Sequence, residues 1–169
     1  VIWGFDSSPL IHVNRAGLQW IFTHLEGEKM IPPQVYKQVV VQGMARGDVD
    51  ALVSESLVKK GILQVVQVEN GFIKALKNIE SGLHAGELEV LALAKNYGGT
   101  AVLDERIARD VGSMFGIEIH GTLFLIFLMV RKGVLERKVA KDEVNSMIKK
   151  GFRLGHEEYM KFLELLEDI

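Results

Sequence analysis

The sequence predicts a three-layer α/β/α fold built on a five-stranded parallel sheet, with extra helices at the C-terminal end. Three observations predict it. Short apolar runs alternate with segments of helical periodicity, the pattern of right-handed βαβ crossovers. The first run, Val1–Phe5, is apolar at nearly every position, as a strand covered on both faces must be. Beyond about residue 135 only helical patterns remain. We therefore expect one domain over residues 1–169, with a core of about 1–135 and a helical extension over 136–169.

The elements follow in order. Val1–Phe5 is the first strand and ends at Asp6. Ser7, Ser8 and Pro9 supply a serine cap and an early proline for a helix that stops at Gly17. Leu18–Leu25 is a short helix. Lys29–Ile31 is a second strand, closed by Pro32 and Pro33. Gln34–Ala45 reads as one α-helix, and Asp48 caps another that runs to about Lys60. Ile62–Val68, rich in β-branched residues, is the third strand. Gly71–Ile79 and Glu87–Tyr97 are helical, the latter ended by Gly98 and Gly99. Thr100–Leu103 is the fourth strand, ending at Asp104. A helix over Glu105–Phe115 and a fifth strand over Ile117–Ile119 come next. Thr122 caps the apolar helix Leu123–Lys132, and Lys141–Lys150 and Glu157–Glu167 complete the chain. The stripe Tyr159, Phe162, Leu163 and Leu166 reads first as packing on its own domain, with a homodimer contact as the alternative.

Composition excludes several classes. Hydrophobic residues make up 48% and charged residues 25%, which separates the chain from disordered sequences. There is no cysteine, so disulfides, thiolate zinc sites and dithiol redox chemistry are impossible. With 20 basic and 22 acidic residues, the chain is not a histone-like nucleic-acid binder. The longest apolar run, Leu123–Val130, falls far short of the ~18 residues of a membrane span. No basic, apolar, small-residue order opens the chain, so no signal peptide is expected. A reducing cytoplasmic location fits the lack of cysteine.

Ligands of open parallel sheets bind outside the carboxyl ends of the strands. Asp6 and Asp104 stand at two such ends, and Glu87 lies in the first turn of a helix. Carboxylates brought together repel unless protons or a cation hold them. Hard oxygen donors without cysteine or histidine partners suit Mg²⁺ or Mn²⁺, ions that activate water for phosphodiester cleavage. The rival chemistries lack their signatures. There is no P-loop, no Gly-x-Gly-x-x-Gly dinucleotide loop and no Gly-x-Ser-x-Gly elbow. A small-molecule or nucleotide-binding α/β enzyme is thereby disfavoured. The five histidines have no zinc spacing; His84 and His120 fall near the rim. Arg106 and Arg109 share a helix face after Asp104 and are the candidates for substrate phosphates. No interleaving of aromatic and basic residues suggests a base-stacking platform.

Several strings in order carry a family resemblance. They are Asp6-Ser7-Ser8-Pro9-Leu10-Ile11, Ile31-Pro32-Pro33-Gln34-Val35-Tyr36, Leu83-His84-Ala85-Gly86-Glu87-Leu88-Glu89, and Leu103-Asp104-Glu105-Arg106 with Arg109. Gly121-Thr122-Leu123 and Gly151-Phe152-Arg153-Leu154 extend the set across nearly the whole chain. The chain resembles PIN domains, the PilT N-terminal-like nucleases, most closely an archaeal and bacterial PIN-like subgroup related to VapC-type toxin ribonucleases. The resemblance implies a five-stranded parallel sheet and an acidic pocket at its carboxyl edge. It also implies Mg²⁺ or Mn²⁺ held by three or four carboxylates and cleavage of single-stranded RNA. A toxin role with an antitoxin protein partner, and a homodimer, are implied in the same way.

Residue by residue, Asp6 matches the first family acid, Glu87 the third and Asp104 the fourth. The second acid belongs at the end of a Pro-x-Val-x-x-Glu pattern, where this chain has Pro33-Gln34-Val35-Tyr36-Lys37-Gln38. Gln38 offers an oxygen without a charge. One charge fewer weakens a divalent site and favours one metal over two; the alternative function is a weakened module that binds RNA or a protein partner. Glu105 is the better compensating acid, because Glu89 points about 200° from Glu87 on a helix. Ser8 is placed to hydrogen-bond a carboxylate or a water.

Overall fold

The computed structural model describes residues 1–169. Five parallel strands form one sheet: β1 (Ile2–Phe5), β2 (Glu28–Ile31), β3 (Gln64–Val65), β4 (Thr100–Val102) and β5 (Glu118–His120). Their order is β3-β2-β1-β4-β5, so the chain builds outwards from β1 on one side, then crosses back to build on the other. Helices cover the sheet, as the sequence predicts for a three-layer α/β arrangement.

The order has one functional consequence. Between β1 and β4 the direction of construction reverses, which opens a crevice at their carboxyl ends. Phe5 pairs with Val102 in the register of these strands, and the Asp6 N–H donates to the Val102 carbonyl at 2.9 Å. Asp6 and Asp104 therefore leave the sheet side by side.

Helices α1 (Ser7–Arg15), α2 (Ile21–His24) and α3 (Pro33–Tyr36) follow the first two strands. α3 does not continue as the plain α-helix predicted over Gln34–Ala45. It widens to π geometry over Lys37–Gln42 and closes as α4 (Gly43–Ala45). The consecutive Val39, Val40 and Val41 lie in that stretch, and β-branched side chains crowd an α-helical turn. The chain proceeds through α5 (Val49–Lys59), α6 (Asn70–Ile79), α7 (Ala85–Tyr97), α8 (Arg106–Met114) and α9 (Thr122–Arg131). Gly98 closes α7 in the left-handed conformation (φ 65°), as its position implies. α10 (Arg137–Lys149) and α11 (His156–Glu167) both pack on α9.

Two caps and one strand differ from expectation. Asp6, not a serine, occupies the N-cap position of α1, because the two serine hydroxyls are drawn to the site instead. Gly121, not Thr122, precedes α9, and the Thr122 hydroxyl serves Asp104. β3 is only two residues long, against the predicted Ile62–Val68; both are exposed at the sheet edge, where only β2 offers a partner.

A single cluster of 40 buried residues joins both sheet faces to the C-terminal helices. Phe162 and Leu166 of α11 lie within it, so the apolar stripe of the last helix packs on its own chain. Gly112 of α8 shows how tight this packing is. A Cβ there would stand 2.3 Å from Ile119 Cδ1 and 2.7 Å from Leu91 Cδ2. Alanine normally improves a helix by about 1 kcal/mol over glycine, whereas overpacking a core costs about 1–3 kcal/mol. We expect Gly112→Ala to lower the urea midpoint despite its better helix propensity; a raised midpoint would show that Ile119 relaxes freely.

Candidate active site

Asp6 is the centre of the site. It is only 7% exposed, at the mouth of the β1–β4 crevice. Burial pushes its carboxyl up to about 7, opposed by a hydrogen bond from the Ser7 backbone and reinforced by the charges of Glu87 and Asp104. A cavity of about 380 Å³ opens beside it; Ile11 is its one hydrophobic lining residue, and it is bordered by Ser8, His12, Gln38, His84 and Glu87.

Each neighbour is fixed by a local reason. Glu87, in the first turn of α7, is buried, and its Oε2 accepts the His84 backbone N–H at 2.9 Å. This bond ties the carboxylate to the helix start; burial raises its pKa against that bond. Gln38 comes from the π segment, and its Oε1 accepts the Ser7 hydroxyl at 2.5 Å. Gly86 lets these groups meet: a Cβ there would lie 3.0 Å from Gln38 Oε1 and 3.4 Å from Asp6 Oδ1. Glu89 does not border the cavity, and partial burial raises its pKa.

Asp104 is held from the other side. Its Oδ1 accepts the Thr122 N–H at 2.8 Å, and its Oδ2 accepts the hydroxyls of Thr122 at 2.7 Å and Ser8 at 2.9 Å. It thus satisfies a free N–H at the start of α9. Glu105 caps α8 by accepting the Ala108 N–H at 2.8 Å, yet its charge still bears on Glu87.

The structure accordingly gathers Asp6, Gln38, Glu87 and Ser8 around one cavity, with Asp104 joined to them through Ser8. It does not draw three acidic or histidine side chains into one cation-holding cluster. The arginines separate: Arg109 borders a second cavity together with Asp104, whereas Arg106 is exposed and borders neither.

That second cavity was not foreseen from the sequence. It measures about 300 Å³ and lies between α9, α11 and the Gly151–Leu154 segment. An aromatic and cationic column runs along it. The His120 and Phe124 rings stack at 3.6 Å, Phe124 and Phe127 are 6.0 Å apart, and the Arg131 guanidinium sits 5.5 Å over Phe127. The signal was the helical spacing of residues 124, 127 and 131, hidden inside a run that reads simply as core.

In metal-free solution the Asp6 carboxyl has a testable linkage. Its folded pKa is raised, so below about pH 4 both states hold the proton and stability is intact. As pH climbs to about 7, only the unfolded carboxyl ionises, and up to about 4 kcal/mol of stability is lost. Asp6→Asn removes that loss. In EDTA the variant is expected to unfold at higher denaturant than wild type at pH 8 and to match it near pH 4. A pH-independent difference would mean that Asp6 is not the titrating group.

Comparison with known proteins matches a PIN-domain family model (DUF3368) to residues 2–168. Among solved structures, the crystal structure of PAE2754 from Pyrobaculum aerophilum is similar, with a TM-score of 0.51 and 19% identity over 80% of this chain and 98% of that one. At that identity the likeness concerns the fold. No curated protein matches the sequence.

Proposed function

The chain belongs to the PIN-domain family, whose members are commonly nucleases, and from that premise we propose a Mg²⁺- or Mn²⁺-dependent endoribonuclease acting on single-stranded RNA. The observation that carries the reading is the buried Asp6 carboxyl, pushed up to about 7 in a polar cavity at the sheet crevice. A carboxyl that burial and neighbouring acids drive towards its protonated form is one that a divalent cation would return to its anion.

The donor chemistry fits such an ion, since Asp6, Glu87 and Gln38 offer hard oxygens. Asp6 and Glu87 would hold it, with Gln38 and Asp104 as further donors. A bound divalent cation supplies Lewis-acid activation of water and neutralises charge at the phosphate. The protein's own contribution is positioning. The His84 N–H aims Glu87, the Ser8 hydroxyl and Thr122 aim Asp104, and Ser7 aims Gln38. Arg109, beyond Asp104, is suited to a substrate phosphate. Arg106 and Glu105 stay auxiliary in this reading.

Gln38 favours a second reading, a weakened PIN-like module that binds RNA or a protein partner. Both readings extend to a VapC-like toxin role with an antitoxin partner, a homodimer and a cytoplasmic location, all resting on the family resemblance. No helix is long and apolar enough to cross a membrane.

Calorimetric Mn²⁺ titration beside a single-stranded RNA cleavage assay tests the proposal. Wild type should bind Mn²⁺ and cleave, and Asp6→Asn and Asp104→Asn should do neither. Gln38→Glu should tighten Mn²⁺ binding by roughly tenfold or more through its added charge. Cleavage surviving in Asp6→Asn would overturn the site. Cleavage appearing only in Gln38→Glu would establish the weakened module.

A further inference from the structure

We propose that the cavity between α9, α11 and the Gly151–Leu154 segment is a subsite for an unpaired nucleobase of single-stranded RNA, seated next to the phosphodiester that faces Asp6 and Asp104. The inference rests on the nuclease-site reading for its substrate class and adds to it a place for the base.

Position is the first argument. Asp104 borders this cavity, and Ser8, which bonds to Asp104, borders the polar cavity of Asp6. His12, also in the polar cavity, meets Phe152 of the apolar one edge-on at 4.8 Å. Only Gly121 fits beside the junction. A Cβ there would come within 2.9 Å of Asp104 Oδ1 and 3.4 Å of Arg109 Nη1. The two cavities are thus adjoining parts of one surface.

Shape and chemistry are the second. About 300 Å³ is the lower end of the ~300–1,000 Å³ typical of small-ligand sites, a size for one planar group and not for a helix. Phe124 on one side and Phe152 with Leu154 on the other give apolar and aromatic walls. Bases stack on such walls without sequence preference. Phe124 is itself backed by His120, stacked on it at 3.6 Å, so its ring is held in place.

Charge is the third. Arg109, Arg153 and Lys161 border the cavity. The two acids there are committed: Asp104 to Thr122 and Ser8, and Glu158 to the Gly155 N–H at 2.9 Å. The rim thus carries three cations against two carboxylates in a chain of net charge −2, and the acids' oxygens are turned to protein donors, which leaves the cationic side chains for a phosphodiester backbone. The Gly151-Phe152-Arg153-Leu154 string thereby acquires a role, since it brings the C-terminal extension to the edge of the acidic site.

Fluorescence anisotropy in EDTA separates this subsite from catalysis. The probes are a labelled oligouridine decamer and an abasic ribose-phosphate decamer of equal length. Wild type should bind the base-bearing chain about 5- to 150-fold more tightly, the worth of one stacked base. Phe124→Ala, with its fold checked by circular dichroism, should lose that preference. Arg153→Ala, at an exposed position that cannot unsettle the core, should weaken both probes. Equal wild-type affinity for the two probes, or a preference surviving Phe124→Ala, would overturn the proposal and leave the cavity to an apolar side chain of a protein partner. Failure of the nuclease reading looks different: base-dependent binding persists while no Asp6-dependent cleavage is found with Mn²⁺.

Discussion

A carboxylate buried where a parallel sheet reverses its order of construction is the constraint on which the rest of this structure depends. β1 is the central strand, hydrogen-bonded to β2 on one side and β4 on the other. Asp6 follows directly, with its N–H still bonded to Val102 across the seam. The chain cannot move this group to solvent without breaking the strand pair that starts the fold. Its carboxyl must therefore find a proton or a cation in place, and the surrounding helices are arranged around that need.

Each of the three acids has a structural role at a helix start. Asp6 occupies the N-cap position of α1, Glu87 caps α7, and Asp104 receives the first N–H of α9. Three helix N-termini thus face the same region, and their partial positive charges offset some of the repulsion between the acids. This explains how the carboxylates approach without a paired lysine or arginine among them. It also sets a competition: an oxygen that accepts a backbone N–H has less to give a cation. The arrangement restrains Glu87 and Asp104, and leaves Asp6 and Gln38 to face each other across Gly86.

The parallel sheet was legible because the alternation of strands and helices is a local signal; the order that puts β4 beside β1 was not, because no local signal says which strands become neighbours. Asp6 and Asp104 were legible as strand-end acids, whereas the placement of Glu87 beside the Asp6 cavity comes from the fold. The π segment was not legible, because periodicity cannot tell one extra residue per turn from an ordinary helix when three valines fill it. The partner of Ser7 was not legible, since in sequence it reads as a helix cap; for Ser8 a carboxylate or a water was expected, and the fold shows which carboxylate. The two hydroxyls reach Gln38 and Asp104, 31 and 96 residues away. The aromatic column escaped because Phe124 and Phe127 sit in the most apolar run of the chain, where a half-exposed ring and a buried one look alike.

The position of Gln38 explains why the loss of one family acid need not disturb the fold. A glutamine there keeps an oxygen aimed at the site and engages it with Ser7, so the π segment stays attached to α1. A glutamate would place another charge close to the buried carboxyl of Asp6, which already feels Glu87 and Asp104. Without a cation, that added repulsion would destabilise the fold; with one, it would be offset by attraction. Glutamine thus lowers the dependence of the folded state on bound metal and, by the same charge, lowers the affinity with which the site can hold it. Stability of the empty protein and strength of the metal site are opposed at this one position.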